Sequence, residues 1–296
     1  MTEAQGMTEA RPAVVLLGTP IGNLGDLSPR AVEALRTADV IAAEDTRRTR
    51  PLLTAMGIPT AGRLVSFHGP HEAELAVRLV ERIVLRQERL VCVSDAGMPG
   101  ISDPGERLVT AALAAGVAVE VVPGPSAALA ALIVSGLPTA RFVFEGFLPR
   151  KGRQRAVRLE ALRTEERTVV LFEAPHRLEE TLADLAAAFG PDRPLAVARE
   201  LTKRFETVWR GTLGEAVAGD DRGPVARGEQ VLVIGPAAPV RPDDELDDDA
   251  VAAALEAELA GGASTRDAAA AVAGRLGVNR RRAYALATSL RKAAGS

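Results

Sequence analysis

The residues best placed to do chemistry in this 296-residue chain stand just after short apolar runs. VSDAGMPGISDPG (93–105) follows LVCV and carries Asp95 and Asp103 among Gly97, Gly100 and Gly105. Other such stretches are GTPIGNLGD (18–26), AEDTRRTR (43–50), SFHGPHE (66–72), PGPSA (123–127), FLPRKGRQR (147–155), EAPHR (173–177) and ARELTKRFE (198–206). None has the GxxxxGK[ST] of a phosphate loop, since GTPIGNLGD lacks the lysine. Its glycine spacing also misses the GxGxxG of a dinucleotide fingerprint. His68 and His71 are a close pair without a cysteine or third histidine, so no metal site is expected. What remains is a polar, glycine-lined cleft that meets its ligand largely through backbone. Asp95, nearest the strand end, is read as a binder, and Asp103 as the acceptor of an Asx-turn.

Those loops need a scaffold, and the chain spells one. AVVLLGTP (13–20), DVIAAED (39–45), RLVSF (63–67), RLVCVSD (89–95) and VAVEVVPG (117–124) read as strands, separated by SPRAVEALRTA, HEAELAVRLVERIVLRQE and ERLVTAALAAG at helical period. Alternating strand and helix marks a mainly parallel sheet covered on both faces, with ligands outside the carboxyl ends of its strands. A second series runs from PGPSAALAALIVSG through RFVFEGF, RTVVLFEAP, PLAVARE, ETVWRGTL and QVLVIGP, and predicts a more antiparallel sheet. The expected organisation is α/β: a loose tail over 1–12, an N-terminal domain over 13–122 and a C-terminal one over 123–237. An acidic linker over 238–249 then leads to a helical region over 250–296. In that region STRDAAAAVAGRLG and NRRRAYALATSLRKA read either as a helix-turn-helix or as an Ala-rich helical hairpin docked on the body.

Composition narrows the class. With 47% hydrophobic residues the chain is rich enough for packed domains, and no apolar run approaches the roughly 18 residues of a membrane span. The opening MTEAQGMTEARP lacks the apolar segment of a signal peptide. The single cysteine, Cys92, excludes an internal disulfide, fits a cytoplasmic protein and reads as an inert core thiol. The net charge of −3 does not advertise a nucleic-acid binder, yet DDELDDD offsets basic clusters elsewhere.

Taken together, TPIGNLGDLSPRA, AEDTRRTRPLL, VSDAGMPGISDPG, VPGPSA, FEGFLPRK and RELTKRFE resemble the tetrapyrrole methylase superfamily. More narrowly they resemble its ribosomal-RNA branch, the small-subunit rRNA cytidine 2′-O-methyltransferases, from about residue 13 to 236. The resemblance implies a homodimer of two-domain α/β chains with S-adenosylmethionine in the cleft. It also implies methylation of a cytidine ribose in 16S rRNA near the decoding centre, on free RNA or the assembled 30S subunit. It places Asp95, Ala96, Gly97, Met98 and Ile101 along the amino-acid and ribose part of the cofactor, and Ser126 and Ala127 at the domain junction. Phe172, Glu173, Glu200 and Leu201 would cover the adenosine, and Pro20 would face the cleft. Met98 stands where the branch commonly has Thr. In the loop, SDPG would shape the start of the next helix, with Ser102 or Asp103 as its cap.

Methyl transfer to a 2′-hydroxyl asks for positioning and for an acceptor of the hydroxyl proton. Glu44, Asp45, Glu173, Glu200 and Lys203 are the candidates, with His71 and His176 beside them; Asp45 reads equally as a helix cap. Arg47, Arg48 and Arg50, then Arg150, Lys151, Arg153, Arg155 and Arg158, then Arg280, Arg281 and Arg282 form basic clusters that read as phosphate contacts or as solvated faces. Aromatic residues, at 3%, are too few for a base-stacking platform. The competing expectations are a tetrapyrrole C-methyltransferase, and a non-catalytic RNA-binding assembly factor.

Overall fold

A computed structural model describes residues 12–60, 62–219, 223–225, 227–237, 247–276 and 278–294. The expected tail, all but Pro12, and most of the acidic linker therefore lie outside the described residues. Residues up to Pro236 form one compact unit and those from Ala237 another.

In the first unit, β1 (Ala13–Leu17), β2 (Val40–Ala43), β3 (Leu64–Ser66), β4 (Arg89–Val93) and β5 (Ala118–Val122) pair in the order β3-β2-β4-β1-β5. Every pairing is parallel. AVVLL and VIAA are buried on both faces, which is why they are unbroken apolar runs rather than alternating ones. On one face, α1 (Pro29–Thr37) and α2 (Thr46–Ala55) pack Ala31, Leu35 and Leu53 against Val15, Leu17, Ile41 and Val93. On the other, α3 (Glu72–Arg86) and α4 (Glu106–Ala114) pack Val80, Ile83, Leu108 and Ala112 against Leu16, Ala42 and Cys92. Ser28 caps α1 ahead of Pro29, and Asp45 caps α2.

A second sheet has the order β6-β7-β10-β8-β9, from β6 (Phe142–Phe147), β7 (Thr168–Glu173), β8 (Pro194–Arg199), β9 (Thr207–Thr212) and β10 (Gln230–Ile234). It is mixed: β6 and β7 are parallel, the other pairs antiparallel. Helix α5 (Ala127–Ser135) covers one face with Ala128, Ala131 and Leu132, and Ile21 from the loop after β1 joins that same core. The opposite face carries α6 (Arg153–Arg163), α7 (Leu178–Phe189) and α8 (Leu213–Ala218) through Leu159, Leu162, Leu182, Leu185 and Leu213.

In the second unit α9 (Asp248–Ala260), α10 (Thr265–Leu276) and α11 (Arg280–Ala294) enclose a small core of Val251, Leu255, Ala269, Val272, Val278 and Ala287. Asp247 caps α9, and Asp248 and Asp249 suit its positive end. Ser264 and Asp267 bond as the sequence pattern suggests, the Asp267 N–H donating to Ser264 Oγ at 3.1 Å. No helix among the described residues is long and apolar enough to cross a membrane.

Candidate functional site

The parallel sheet delivers four loops to one edge: those after β1, β2, β4 and β5. Two of them touch through glycine. A Cβ on Gly18 would lie 2.7 Å from the Gly124 Cα, and one on Gly124 would lie 2.7 Å from the Gly18 carbonyl oxygen, so neither position has room for a side chain. Gly97, at φ +87°, lets the β4 loop turn back and pair with Thr19, whose N–H donates to the Gly97 carbonyl at 2.9 Å. Thr19 Oγ1 also donates to the Ser94 carbonyl, at 3.2 Å. The loops are thus welded by main chain before any ligand arrives.

Over this frame lies a cavity of about 390 Å³ with two unlike ends. One is apolar: Ile21, Ala127, Phe172, Ala198, Leu201 and Val231. Phe172 is held edge-on between Phe144 and Phe147, with ring centroids 5.0 and 5.7 Å apart. The other end is acidic: Glu44, Asp95 and Asp103, with Arg48 beside them. Further depressions of about 290 and 390 Å³ meet it at Asp95, the first lined by Pro20, Arg48 and Thr49, the second by Asp45, Arg47 and His68.

The acids there are organised. Glu44 Oε2 accepts the Asp95 N–H at 3.0 Å and Asp95 Oδ1 accepts the Asp45 N–H at 3.1 Å, while Arg48 Nε lies 3.5 Å from Asp95 Oδ2. Asp45 accepts from the Arg47 side chain and N–H, which hold its carboxyl at about 2, so it stays ionised and serves as the cap. Asp103 goes the other way: burial, then the charge of Glu44, push it up to about 7 against a hydrogen bond from Ser94. Cys92 lies beneath; burial, helped by Glu72 and Glu44, pushes its thiol up to about 12, which leaves it inert.

Of the residues expected along a cofactor, Asp95, Ala96, Ala127, Phe172, Glu173 and Leu201 line the cavity. Pro20 lines the neighbouring depression. The others are not among the cavity's lining residues. Gly97 makes the bridge to Thr19, Met98 packs its sulfur against Gly18, Ser126 caps α5, and Ile101 is exposed. The Glu200 carboxylate accepts the Glu229 N–H at 2.9 Å and Lys203 Nζ at 3.1 Å.

Several expectations need correction. The cap of α4 is Gly105, not Ser102 or Asp103; its N–H donates to Glu72 Oε1 at 3.1 Å, and Asp103 is turned to the cavity rather than spent on an Asx-turn. As proton acceptors, three candidates are ill suited. Asp45 is too acidic. The Glu173 carboxylate is buried and committed, accepting from Thr181 Oγ1 at 2.6 Å and the Ala174 N–H at 2.8 Å, with Arg177 at 3.5 Å. Burial pulls the Lys203 pKa down, but hydrogen bonds and charges of Glu229 and Glu200 outweigh it and raise it, so this lysine stays a cation. His71 and His176 are exposed.

Among the basic residues, Arg155 is buried: its guanidinium donates to Asp184 at 2.6 Å, to Thr181 Oγ1 at 3.0 Å and to the Pro149 carbonyl at 3.1 Å. It is a structural strut, not a phosphate contact. Its spacing from Leu159 and Leu162 puts it on the inward face of α6, a signal readable in sequence. Arg158 pairs with the buried carboxylate of Glu145. Arg47, Arg48 and Arg50 are exposed on α2, as are Arg150 and Lys151 on the loop into α6 and Arg153 at its first position. On α11, Arg280 and Arg281 are exposed, and Arg282 reaches Asp248 at 2.6 Å. Sequence reasoning passed over Ile21, Phe147, Ala198, Glu229, Gln230 and Val231 as cavity residues, since nothing local sets them apart from ordinary core or turn positions.

The sequence model of the Tetrapyrrole (Corrin/Porphyrin) Methylases matches residues 13–217. A ribosomal RNA small subunit methyltransferase I of Xylella fastidiosa is 53% identical over 226 residues, spanning 75% of this chain and 81% of that protein. One from Mycobacterium tuberculosis is 45% identical over 283 residues, 95% and 96% of the two chains. Among solved structures, uroporphyrin-III C-methyltransferase from Thermus thermophilus, in complex with S-adenosyl homocysteine, superposes with a TM-score of 0.53 at 24% identity, over 76% of this chain and 97% of that one. Diphthine synthase gives 0.56 at 19%, over 75% and 89%.

Proposed function

Because the chain belongs to the tetrapyrrole methylase family, and within it to the ribosomal RNA small subunit methyltransferase I group, we propose that this S-adenosylmethionine-dependent methyltransferase modifies the 2′-hydroxyl of a cytidine in 16S rRNA, near the decoding centre. The observation that carries the reading is the two-ended cavity at the welded loops.

The residues fit the cofactor. Phe172, Ala127, Ala198, Leu201 and Val231 suit a flat heterocycle, and Glu44 and Asp95 suit ribose hydroxyls and the cationic sulfonium and ammonium groups. At the wall, Gln230 donates through Nε2 to the carbonyls of Val225 (2.8 Å) and Arg227 (3.4 Å), which fixes its amide and leaves Oε1 a buried acceptor without a partner among the described residues. S-adenosylmethionine, when bound, supplies a methyl group on a sulfur that is already a leaving group. The protein's part is to align the acceptor, exclude water and manage one proton.

RNA would approach over Arg47, Arg48 and Arg50 beside the acidic end and over Arg150, Lys151 and Arg153 next to Phe147, with Arg280 and Arg281 of the second unit as further phosphate contacts. The substrate is small-subunit rRNA, free or in the 30S particle, and the place of action is the cytoplasm. Exposed Leu129 and Ile133, four residues apart on α5, with Val121 on the edge strand β5, support a homodimer; Ile133→Arg should turn a dimer into a monomer in analytical ultracentrifugation.

The deciding experiment offers methyl-labelled S-adenosylmethionine with 30S subunits lacking the modification and, in parallel, with porphyrinoid precursors. Label on a ribose 2′-oxygen supports the proposal. Label only on the porphyrinoid replaces it with tetrapyrrole methylation. Absence of any cofactor binding points to the non-catalytic assembly factor.

A further inference from the structure

We propose that the carboxylate of Asp103 takes the proton from the acceptor ribose hydroxyl, as the catalytic base at the acidic end of the cavity; this rests on the function proposed above.

The case starts from what the neighbouring acids are already doing. Glu44 holds the Asp95 N–H, Asp95 holds the Asp45 N–H and faces Arg48, and Asp45 is tied to Arg47. From the second sheet, Glu173 is committed to Thr181 and Ala174, and Glu229 is paired with Lys203 at 2.8 Å. Asp103 stands apart. Among the described residues its carboxylate is met by the Ser94 hydroxyl, which has one proton to give and also lies 3.2 Å from the Gly97 carbonyl. Lone pairs on Asp103 are therefore uncommitted on a cavity wall. The preceding residue, Ser102, is held at φ +64°, a left-handed conformation that non-glycine residues seldom adopt and that gathers at functional sites.

The chemistry balances. The hydroxyl proton passes to an Asp103 carboxylate oxygen as the ribose oxygen forms its bond to the methyl carbon. The bond from that carbon to sulfur breaks, with its electron pair left on sulfur. The carboxylic acid then returns its proton to water. An ordinary carboxylate is a weak acceptor at neutral pH, but burial and the charges of Glu44 and Asp95 bring this one up to about 7, where basicity and ionised fraction are both useful. The groups acting on it are Glu44, just after β2, and Ser94 and Asp95, just after β4, with Arg48 of α2 on the same cavity wall.

The test has a spectroscopic arm and a kinetic arm. With aspartate labelled at the carboxyl carbon, one NMR resonance of the cofactor-free protein should titrate near pH 7 and vanish in Asp103→Asn. On undermethylated 30S subunits, wild-type kcat/KM should climb about tenfold per pH unit below that midpoint; Asp103→Asn should lose about 100-fold or more and the inflection with it. Its S-adenosylhomocysteine Kd should stay within about threefold by calorimetry. An Asp103→Asn enzyme within threefold of wild type, or one that keeps the inflection, overturns the proposal. If that variant does not fold, Glu44→Gln decides, because removing the like charge must move both midpoints down; unmoved midpoints overturn it. A wild-type enzyme that binds S-adenosylhomocysteine yet methylates no RNA overturns the proposed function instead.

Discussion

Glu44 and Asp95, 51 residues apart in sequence, are joined where each takes a backbone N–H from the other's loop: Glu44 that of Asp95, and Asp95 that of Asp45. The pair fixes the ends of β2 and β4 against each other and holds two negative charges at the rim of the cavity. Asp95→Ala should therefore lower S-adenosylhomocysteine affinity by roughly 10–100-fold, the worth of a hydrogen bond to a charged group. The circular dichroism spectrum should stay that of the wild type. Calorimetry checks this, and unchanged affinity would remove Asp95 from the binding residues.

Arg155→Ala should act on stability rather than on RNA. Its removal takes the donor from Asp184 and Thr181 and one of the two donors from the Pro149 carbonyl, and vacates a buried site, at a cost on the order of 2 kcal/mol. Urea unfolding should show the loss, and the RNA affinity of the folded fraction should not change.

Replacing Arg150, Lys151 and Arg153 together by Ser should weaken 30S binding and reduce the slope of log K against log salt by roughly 0.7–0.9 for each phosphate no longer engaged. S-adenosylhomocysteine binding should be unaffected. A slope equal to wild type would take this loop off the RNA surface.

The folded-state pKa of Asp103 is raised to about 7 from 3.8. The folded protein thus binds this proton more tightly than the unfolded chain. The contribution to stability is complete below about pH 4 and is lost as pH rises through 7. Asp103→Asn should accordingly gain melting temperature over wild type at pH 8, with the gap closing toward pH 4 as the wild-type carboxyl becomes protonated. Scanning calorimetry across that range reads the difference directly.

How much of this the sequence could tell depends on range. β1 and β2 are unbroken apolar runs because both faces are covered, and α1 announces itself through Ser28 and Pro29; such signals lie within a few residues. The Ser102–Asp103 pair misled because Ser-Asp before Pro-Gly is a good local cap. The Glu72 carboxylate, 33 residues away, satisfied Gly105 instead and freed Asp103 for the cavity. Likewise Lys203 becomes a firmly protonated ion-pair partner only because β10 brings Glu229 beside it. Glu173 lies on the cavity wall, but its carboxylate is spent on Thr181, one helix further on.

Ile21 leaves the first sheet's loop and ends in the core between α5 and the second sheet, with Ala131, Val231 and Leu201. Drawing the two sheets apart would carry that side chain into water at about 1.5–3 kcal/mol before any other packing is broken. Ile21 is thus a latch between the two sheets, and the exposed Phe147 ring lines the cavity that lies beside it. Shortening Ile21 to Ala would loosen the latch. Its signature would be faster backbone amide exchange along α5, appearing together with faster release of bound S-adenosylhomocysteine.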